Sequence, residues 1–102
     1  MIQETKLMNE QMYIYISGSI YIEEATEMRE NFIYLINKGH KMFVVDLAQV
    51  DYIDSTGLGM LVFARRQILQ KGGSMTITGL QGLVKDLFEM TRLDLLFEIQ
   101  QG

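Results

Sequence analysis

A short apolar run near the middle of the chain constrains the fold most. Residues 42–47 read M-F-V-V-D-L, a nearly continuous hydrophobic stretch typical of a central strand that is covered on both faces. Helical periodicity, with apolar residues three and four positions apart, flanks this run on both sides. A strand placed between two helices predicts a mainly parallel sheet with right-handed crossovers.

The first part of the chain adds a hairpin and a helix to this pattern. Residues 12–16 alternate aliphatic with aromatic side chains, which favours a strand, and residues 2–8 form a second strand candidate. Asn9 and Glu10 are predicted to make the turn between them. The first helix should end at Gly39. Its buried face is predicted to consist of Ala25, Met28, Phe32, Leu35 and Ile36.

The second part repeats the alternation. A second helix is expected from near Ser55 to the Gly72-Gly73 pair, followed by a strand over residues 74–78 and a last short strand over 95–99. The inward positions of the second and third helices are predicted to be Leu58, Leu61, Val62, Ile68 and Leu69, and Leu80, Leu83, Val84, Leu87 and Phe88. Arg65 falls within the second helix's stripe and is expected to snorkel at the edge of the core. The order is ββαβαβαβ.

This order predicts the α/β fold class. We expect one domain over residues 1–102, with a mixed, mostly parallel β-sheet, an N-terminal edge hairpin and about three or four helices. One hundred and two residues, 48% of them hydrophobic, suffice for a core without disulfides.

Composition and charge exclude several function classes. The chain has no cysteine, which rules out disulfides and thiolate chemistry. It has no signal-peptide pattern and no apolar run long enough to cross a bilayer, so we expect a cytoplasmic protein without a membrane partner. The net charge of −4 argues against nucleic acid as a partner, because phosphate backbones require a basic surface.

The most informative motif is Asp54-Ser55-Thr56-Gly57. A strand, then a turn, then a helix that opens on these residues would place the Ser55 hydroxyl at a helix N-terminus, where negative charge is favoured. One interpretation is ordinary capping, with Gly57 and Gly59 serving only close packing. However, two glycines in the first turns of a helix cost about 1 kcal/mol each relative to alanine, so some compensating role is expected.

The outward face of this helix adds a second indication. By helical angle, Met60 and Phe63 are predicted to point away from the core, beside Thr56 and Gly59. An exposed Met–Phe pair next to an accessible serine is typical of a docking patch.

At these residues the chain resembles the STAS domain family, in particular the bacterial anti-sigma factor antagonists. Y-I-D-S-T-G-L-G-M-L after a V-V-D-L strand is similar to the family's core motif. Gly18 corresponds to the glycine of a G-E-L-D turn. Lys71-Gly72-Gly73 is similar to a basic-Gly-Gly element, and Met90-Thr91-Arg92-Leu93 to a terminal T-G-L element.

The resemblance implies a partner-switching protein that is not an enzyme and needs no cofactor or metal. It would bind an anti-sigma factor of the serine-kinase type, be released when that kinase phosphorylates Ser55, and be restored by a PP2C-type phosphatase. Asp54 would orient or flank the serine, and the protein would be a monomer or weak dimer. The predicted partner-binding residues are Asp54, Ser55, Thr56, Gly57, Gly59, Met60, Phe63, Ser19 and Tyr21.

Three positions depart from the family pattern. In the run from Gly18 to Tyr21, serine replaces the usual glutamate and tyrosine replaces the usual aspartate, and Arg92 replaces a glycine. These differences leave open a diverged STAS scaffold, or a module that senses an anion or nucleotide without reversible phosphorylation.

Two catalytic alternatives fit the sequence less well. A hydrolase nucleophile elbow needs glycine two residues before the serine, where Ile53 stands, and His40, expected in the turn before the central strand, is the only histidine. An aspartate phosphoacceptor or metal site would use Asp46, Asp51 and Asp54, yet the acidic pair and lysine that such a phosphoacceptor requires are not visible. We expect Asp46 to hydrogen-bond the backbone and Asp51 to lie in a turn.

Overall fold

The apolar run lies in the middle strand of a five-stranded sheet. The computed structural model describes residues 2–100. Over these residues the elements are β1 Ile2–Met8, β2 Gln11–Ile20, α1 Ile22–Asn37, β3 Met42–Ile53, α2 Ser55–Gln70, β4 Ser74–Thr78, α3 Gly82–Met90, α4 Leu93–Leu96 and β5 Glu98–Gln100. The strand order is β1-β2-β3-β4-β5, with β1 antiparallel to β2 and the other pairs parallel. The predicted α/β fold with a mixed sheet and an N-terminal edge hairpin is confirmed.

The hairpin turn is built from two residues in the left-handed region. Asn9 has φ 52° and Glu10 has φ 67°, and the strands pair directly around them at Met8 and Gln11. Two positive φ values in a two-residue loop are the mark of a type I′ turn, whose twist matches that of the flanking strands. The predicted Asn9-Glu10 turn is therefore confirmed.

The core lies between the sheet and its helices. The buried face of α1 consists of the five predicted residues, and Phe43, Val45 and Leu47 of β3 join the same core cluster. Val44 is buried on the opposite face without belonging to that cluster, and its cross-strand neighbours are Tyr13 and Thr76. The central strand is thus buried on both faces, although only one of them belongs to the main core.

The extent of β3 corrects one prediction. The strand continues to Ile53, because residues beyond Leu47 remain paired with β2 as far as the Ile20–Ile53 pair. Asp51 therefore lies within a strand, and the predicted turn before the helix is reduced to Asp54 alone.

Four further sequence-based assignments are wrong in detail. Leu69 and Leu83 are 44% and 52% exposed, since their helical neighbours Ile68, Val84 and Phe88 take the inward positions. Leu80 precedes α3, and the predicted last strand is shortened because residues 93–96 form α4.

Within residues 2–100, none of the helices combines the length and apolar composition required to span a membrane.

The type I′ turn yields a prediction about stability. Glu10 adopts a left-handed conformation that costs a non-glycine residue about 1–2 kcal/mol. Glu10→Gly should raise the free energy of unfolding by about 0.5–1 kcal/mol after the extra chain entropy of glycine is counted. Urea denaturation measures the change. Glu4→Gly, in the exposed part of β1, is the matched control and should lower stability; equal losses in both variants would contradict the turn assignment.

Candidate functional site

The site is the junction where β3 passes directly into α2. Asp54 is the only residue between them, and its extended backbone (φ −92°, ψ −177°) makes it the N-cap of the helix. Its carboxylate accepts hydrogen bonds from the Gly57 main-chain N–H, at 3.0 Å, and from the Thr56 hydroxyl. Its own N–H donates to the Ile20 carbonyl at 3.1 Å. Asp54 thus fixes the start of α2 to the ends of two strands.

These hydrogen bonds also set the charge of the helix opening. The Thr56 hydroxyl, and after it the Gly57 N–H, lower the pKa of Asp54 below its ordinary value of 3.8. The carboxylate is therefore ionised at neutral pH, where it offsets the positive end of the helix dipole. Ser55 follows as the first residue of α2 and is exposed.

The two glycines of the motif have different surroundings. A Cβ atom on Gly57 would lie 2.6 Å from Cγ1 of Ile53 and 2.8 Å from Cγ2 of Ile20. Both isoleucines are fully buried, so Gly57 is required for α2 to lie against the strand ends. A Cβ atom on Gly59 would meet no atom within 4 Å. Close packing therefore explains Gly57 but not Gly59.

The expectation of an exposed Met–Phe pair is wrong for Met60. That side chain is only 5% exposed and belongs to the core cluster, because α1 packs against this side of α2. Phe63 is half-buried, and the Arg29 guanidinium of α1 lies over its ring at 4.6 Å from the centroid. In place of a protruding patch, the two helices form a groove of about 330 Å³. Its lining residues are Ile22, Ala25, Thr26, Arg29, Thr56, Gly59, Met60 and Phe63.

The predicted partner-binding residues Ser19 and Tyr21 lie next to this junction. Ser19 and Ile20 pair with the end of β3, and Tyr21 follows as the N-cap of α1. The Tyr21 ring contacts the Tyr52 ring, with centroids 5.7 Å apart. The structure therefore brings Tyr21 and Ser55 to the same end of the sheet. Gly18, expected in a turn, instead lies within β2 with φ 90°, at a register shift.

The departures from the family pattern have local structural consequences. An aspartate at position 21 would be a good helix cap, and with tyrosine there the Glu24 carboxylate accepts the Tyr21 N–H at 2.9 Å. Arg92 has φ 63° at the start of α4. Glycine adopts that conformation readily, whereas arginine is strained by about 1–2 kcal/mol.

The aspartates do not form a metal site. Among residues 2–100, no group of three or more metal-ligating side chains is found. Asp46 accepts the Ala48 N–H at 2.9 Å, as expected, and Asp51 is exposed farther along the same strand. His40 follows α1 before the central strand begins, as predicted.

Another cavity, of about 460 Å³, lies elsewhere, at the ends of β4 and β5. Polar and charged side chains, including Gln81, Lys85 and Asp94, line it together with Leu80 and Ile99. No residue of the Asp54–Gly57 motif contributes to this cavity, so the two features are separate.

Comparison with known proteins agrees with this architecture. The family model for the STAS domain matches residues 2–102. An anti-sigma-B factor antagonist of Listeria monocytogenes is 33% identical over 88 residues, which cover 85% of this chain and 76% of the relative. By both measures the chain belongs to the STAS domain family.

Solved structures show the same fold at low sequence identity. A candidate anti-sigma factor antagonist from Thermotoga maritima has a TM-score of 0.90 and 24% identity, covering 98% of this chain and 86% of that one. The anti-sigma factor antagonist SpoIIAA, a Bacillus cell fate determinant, matches in its unphosphorylated form (TM-score 0.79, 13% identity) and its phosphorylated form (0.80, 14%). Each covers 99% of this chain, over 89% and 91% of the respective structures.

The Asp54 cap predicts a specific dependence on pH. Because the pKa of Asp54 is lowered in the folded state, its contribution is complete above pH 3.8 and is lost as the pH falls through the folded-state value. Asp54→Ala should therefore destabilise the domain most near neutral pH, and the difference from wild type should shrink in acid. Guanidinium denaturation from pH 7 to pH 3 measures this difference in the free energy of unfolding. Asp54→Asn, which still caps a helix, should retain more stability at pH 7; a gap that widens in acid would contradict the assignment.

Gly57 and Gly59 give opposite predictions for the same substitution. Gly57→Ala should lower the free energy of unfolding by about 1–3 kcal/mol, since the new methyl group overlaps Ile53 and Ile20. Gly59→Ala should raise it by up to about 1 kcal/mol, because alanine favours the helix and meets no neighbour. Urea denaturation of both variants decides; a loss at both positions would show that Gly59 also packs.

Proposed function

We propose that this STAS protein is an anti-sigma factor antagonist that works by partner switching. With Ser55 unmodified it binds an anti-sigma factor of the serine-kinase type, and phosphorylation of Ser55 releases that partner. A PP2C-type phosphatase restores the serine. The observation that carries the proposal is the exposed Ser55 at the first position of a long helix, beside an ionised N-cap. The names of the relatives support the class of partner.

The local hydrogen bonds favour Ser55 over its neighbour as the phosphoacceptor. The Thr56 hydroxyl donates to the Asp54 carboxylate, so that oxygen is engaged in the cap. Ser55 is exposed at the start of the helix. Ser55 and Thr56 are both exposed, but only modification of Thr56 would break a hydrogen bond of the N-cap.

Phosphorylation at this position is compatible with an intact fold. A phosphoserine carries about −1.5 to −2 charges at neutral pH. The N-terminus of α2 stabilises such a charge by about 0.3–2 kcal/mol, in opposition to repulsion from the Asp54 carboxylate. The comparable fit of this chain to SpoIIAA in both modification states supports the same conclusion.

The switch would then act in the complex. A partner that covers Ser55 would have to desolvate a dianion next to the ionised Asp54 carboxylate. A loss of about 3–4 kcal/mol at this contact would lower the affinity several-hundredfold. That change suffices to convert a bound partner into a free one.

Calorimetric binding of three variants tests the proposal. Wild type, Ser55→Ala and Ser55→Asp would be titrated into the anti-sigma-B factor of Listeria monocytogenes, with circular dichroism confirming that each is folded. Ser55→Ala should bind like wild type, and Ser55→Asp should lose at least about tenfold in affinity because it places a fixed charge at the contact.

Equal affinities for all three variants, or no binding by any, would contradict the switch. Ser55 would then be only the first residue of a capped helix. The alternative of a diverged scaffold or anion-sensing module would become the better description.

A further inference from the structure

The groove between α1 and α2 continues from the Ser55 junction. Thr56 belongs to both features: it donates to the Asp54 cap and lines the groove. The groove surface is mostly apolar, and Ala25, Met60 and Phe63 are among the residues that line it. A protein that covers Ser55 would therefore extend over the groove with the same face.

Gly59 is the residue that nothing within the chain explains. It lies in the groove, and a Cβ atom there would meet no atom within 4 Å. Glycine in a helix interior is less favourable than alanine. Its φ is outside the left-handed region, so the backbone does not demand glycine. The missing side chain keeps the groove open to an atom from outside the domain.

The rim of the groove has the composition of an interface. Ile22 is 64% exposed at the start of α1, next to Tyr21 at 50%. Arg29 lies at the rim with its guanidinium over the Phe63 ring, which holds a positive charge beside apolar surface. Arginine, methionine and aromatic side chains, phenylalanine included, are enriched in protein interfaces.

We propose that this groove receives one aliphatic side chain of the anti-sigma partner, and that a carboxylate on the same partner segment pairs with Arg29. The inference rests on the proposed function, because it assigns a second contact to the same partner. Gly59 provides the space for the aliphatic group, and Arg29 provides the charge that selects an acidic neighbour. A phosphate on Ser55 would then act within a contact that also includes the groove.

Filling the groove from within the protein tests this assignment. Gly59→Leu would place a side chain where the partner's group is expected, and should weaken binding to the Listeria monocytogenes anti-sigma-B factor by about 10–100-fold. Gln70→Leu is the matched control, since it adds the same side chain at an exposed position at the other end of α2. That control should bind like wild type.

Two further variants separate the contact from a folding defect. Gly59→Ala should be at least as stable as wild type and still bind several-fold more weakly, a combination that general destabilisation does not produce. Arg29→Glu should weaken binding by about tenfold or more, and Arg29→Lys should restore part of the loss.

The outcomes distinguish this inference from the proposed function. Wild-type binding that Gly59→Leu and Arg29→Glu leave unchanged would overturn the groove contact and leave the Ser55 switch standing. Failure of the wild type itself to bind would overturn the proposed function and the groove contact together. Equal loss in Gly59→Leu and Gln70→Leu would also overturn the groove contact, because position would not matter.

Discussion

The hydrogen bonds of Asp54 hold together the junction between β3 and α2. The Asp54 carboxylate accepts the Gly57 N–H and the Thr56 hydroxyl, while the Asp54 N–H bonds the Ile20 carbonyl at the end of β2. One residue therefore closes the helix N-terminus, aligns it with two strand ends and keeps a negative charge there. Ser55 follows as the first residue of α2, within this capped turn, and it is exposed.

The two glycines of the motif divide the first turns of α2 into an inner and an outer side. Gly57 lets the helix contact Ile20 and Ile53, so the inner side is fixed by the core. Gly59 lies on the outer side with open space before it, in the groove that α1 and α2 share. The same short sequence thus makes the junction rigid toward the sheet and accessible toward a partner. A surface of this kind can be switched by charge without being remodelled.

Most of the fold followed from hydrophobic periodicity, and most of the errors concern what covers a given face. The α1 face was predicted residue by residue, since a 3.6-residue repeat defines it directly. The helical angle predicts that Met60 points outward, but it carries no information about the neighbouring helix α1, which buries that side chain. Asp51 was placed in a turn because its polarity could not reveal continued pairing with β2. Arg29 and Ile22 were missed, since they reach the groove only through the packing of α1 on α2.

We infer that phosphorylation of Ser55 changes the surface of this junction and leaves the fold intact. Thermal unfolding of the protein carrying phosphoserine at position 55, followed by circular dichroism beside the unmodified protein, tests this most directly. We expect the phosphorylated protein to have an unfolding midpoint equal to or above that of the unmodified protein, because the helix N-terminus accommodates the charge. A midpoint lower by about 4–8 °C would correspond to a loss of about 1 kcal/mol. That result would contradict the inference that phosphorylation leaves the fold intact, because the phosphate would then act by weakening the fold.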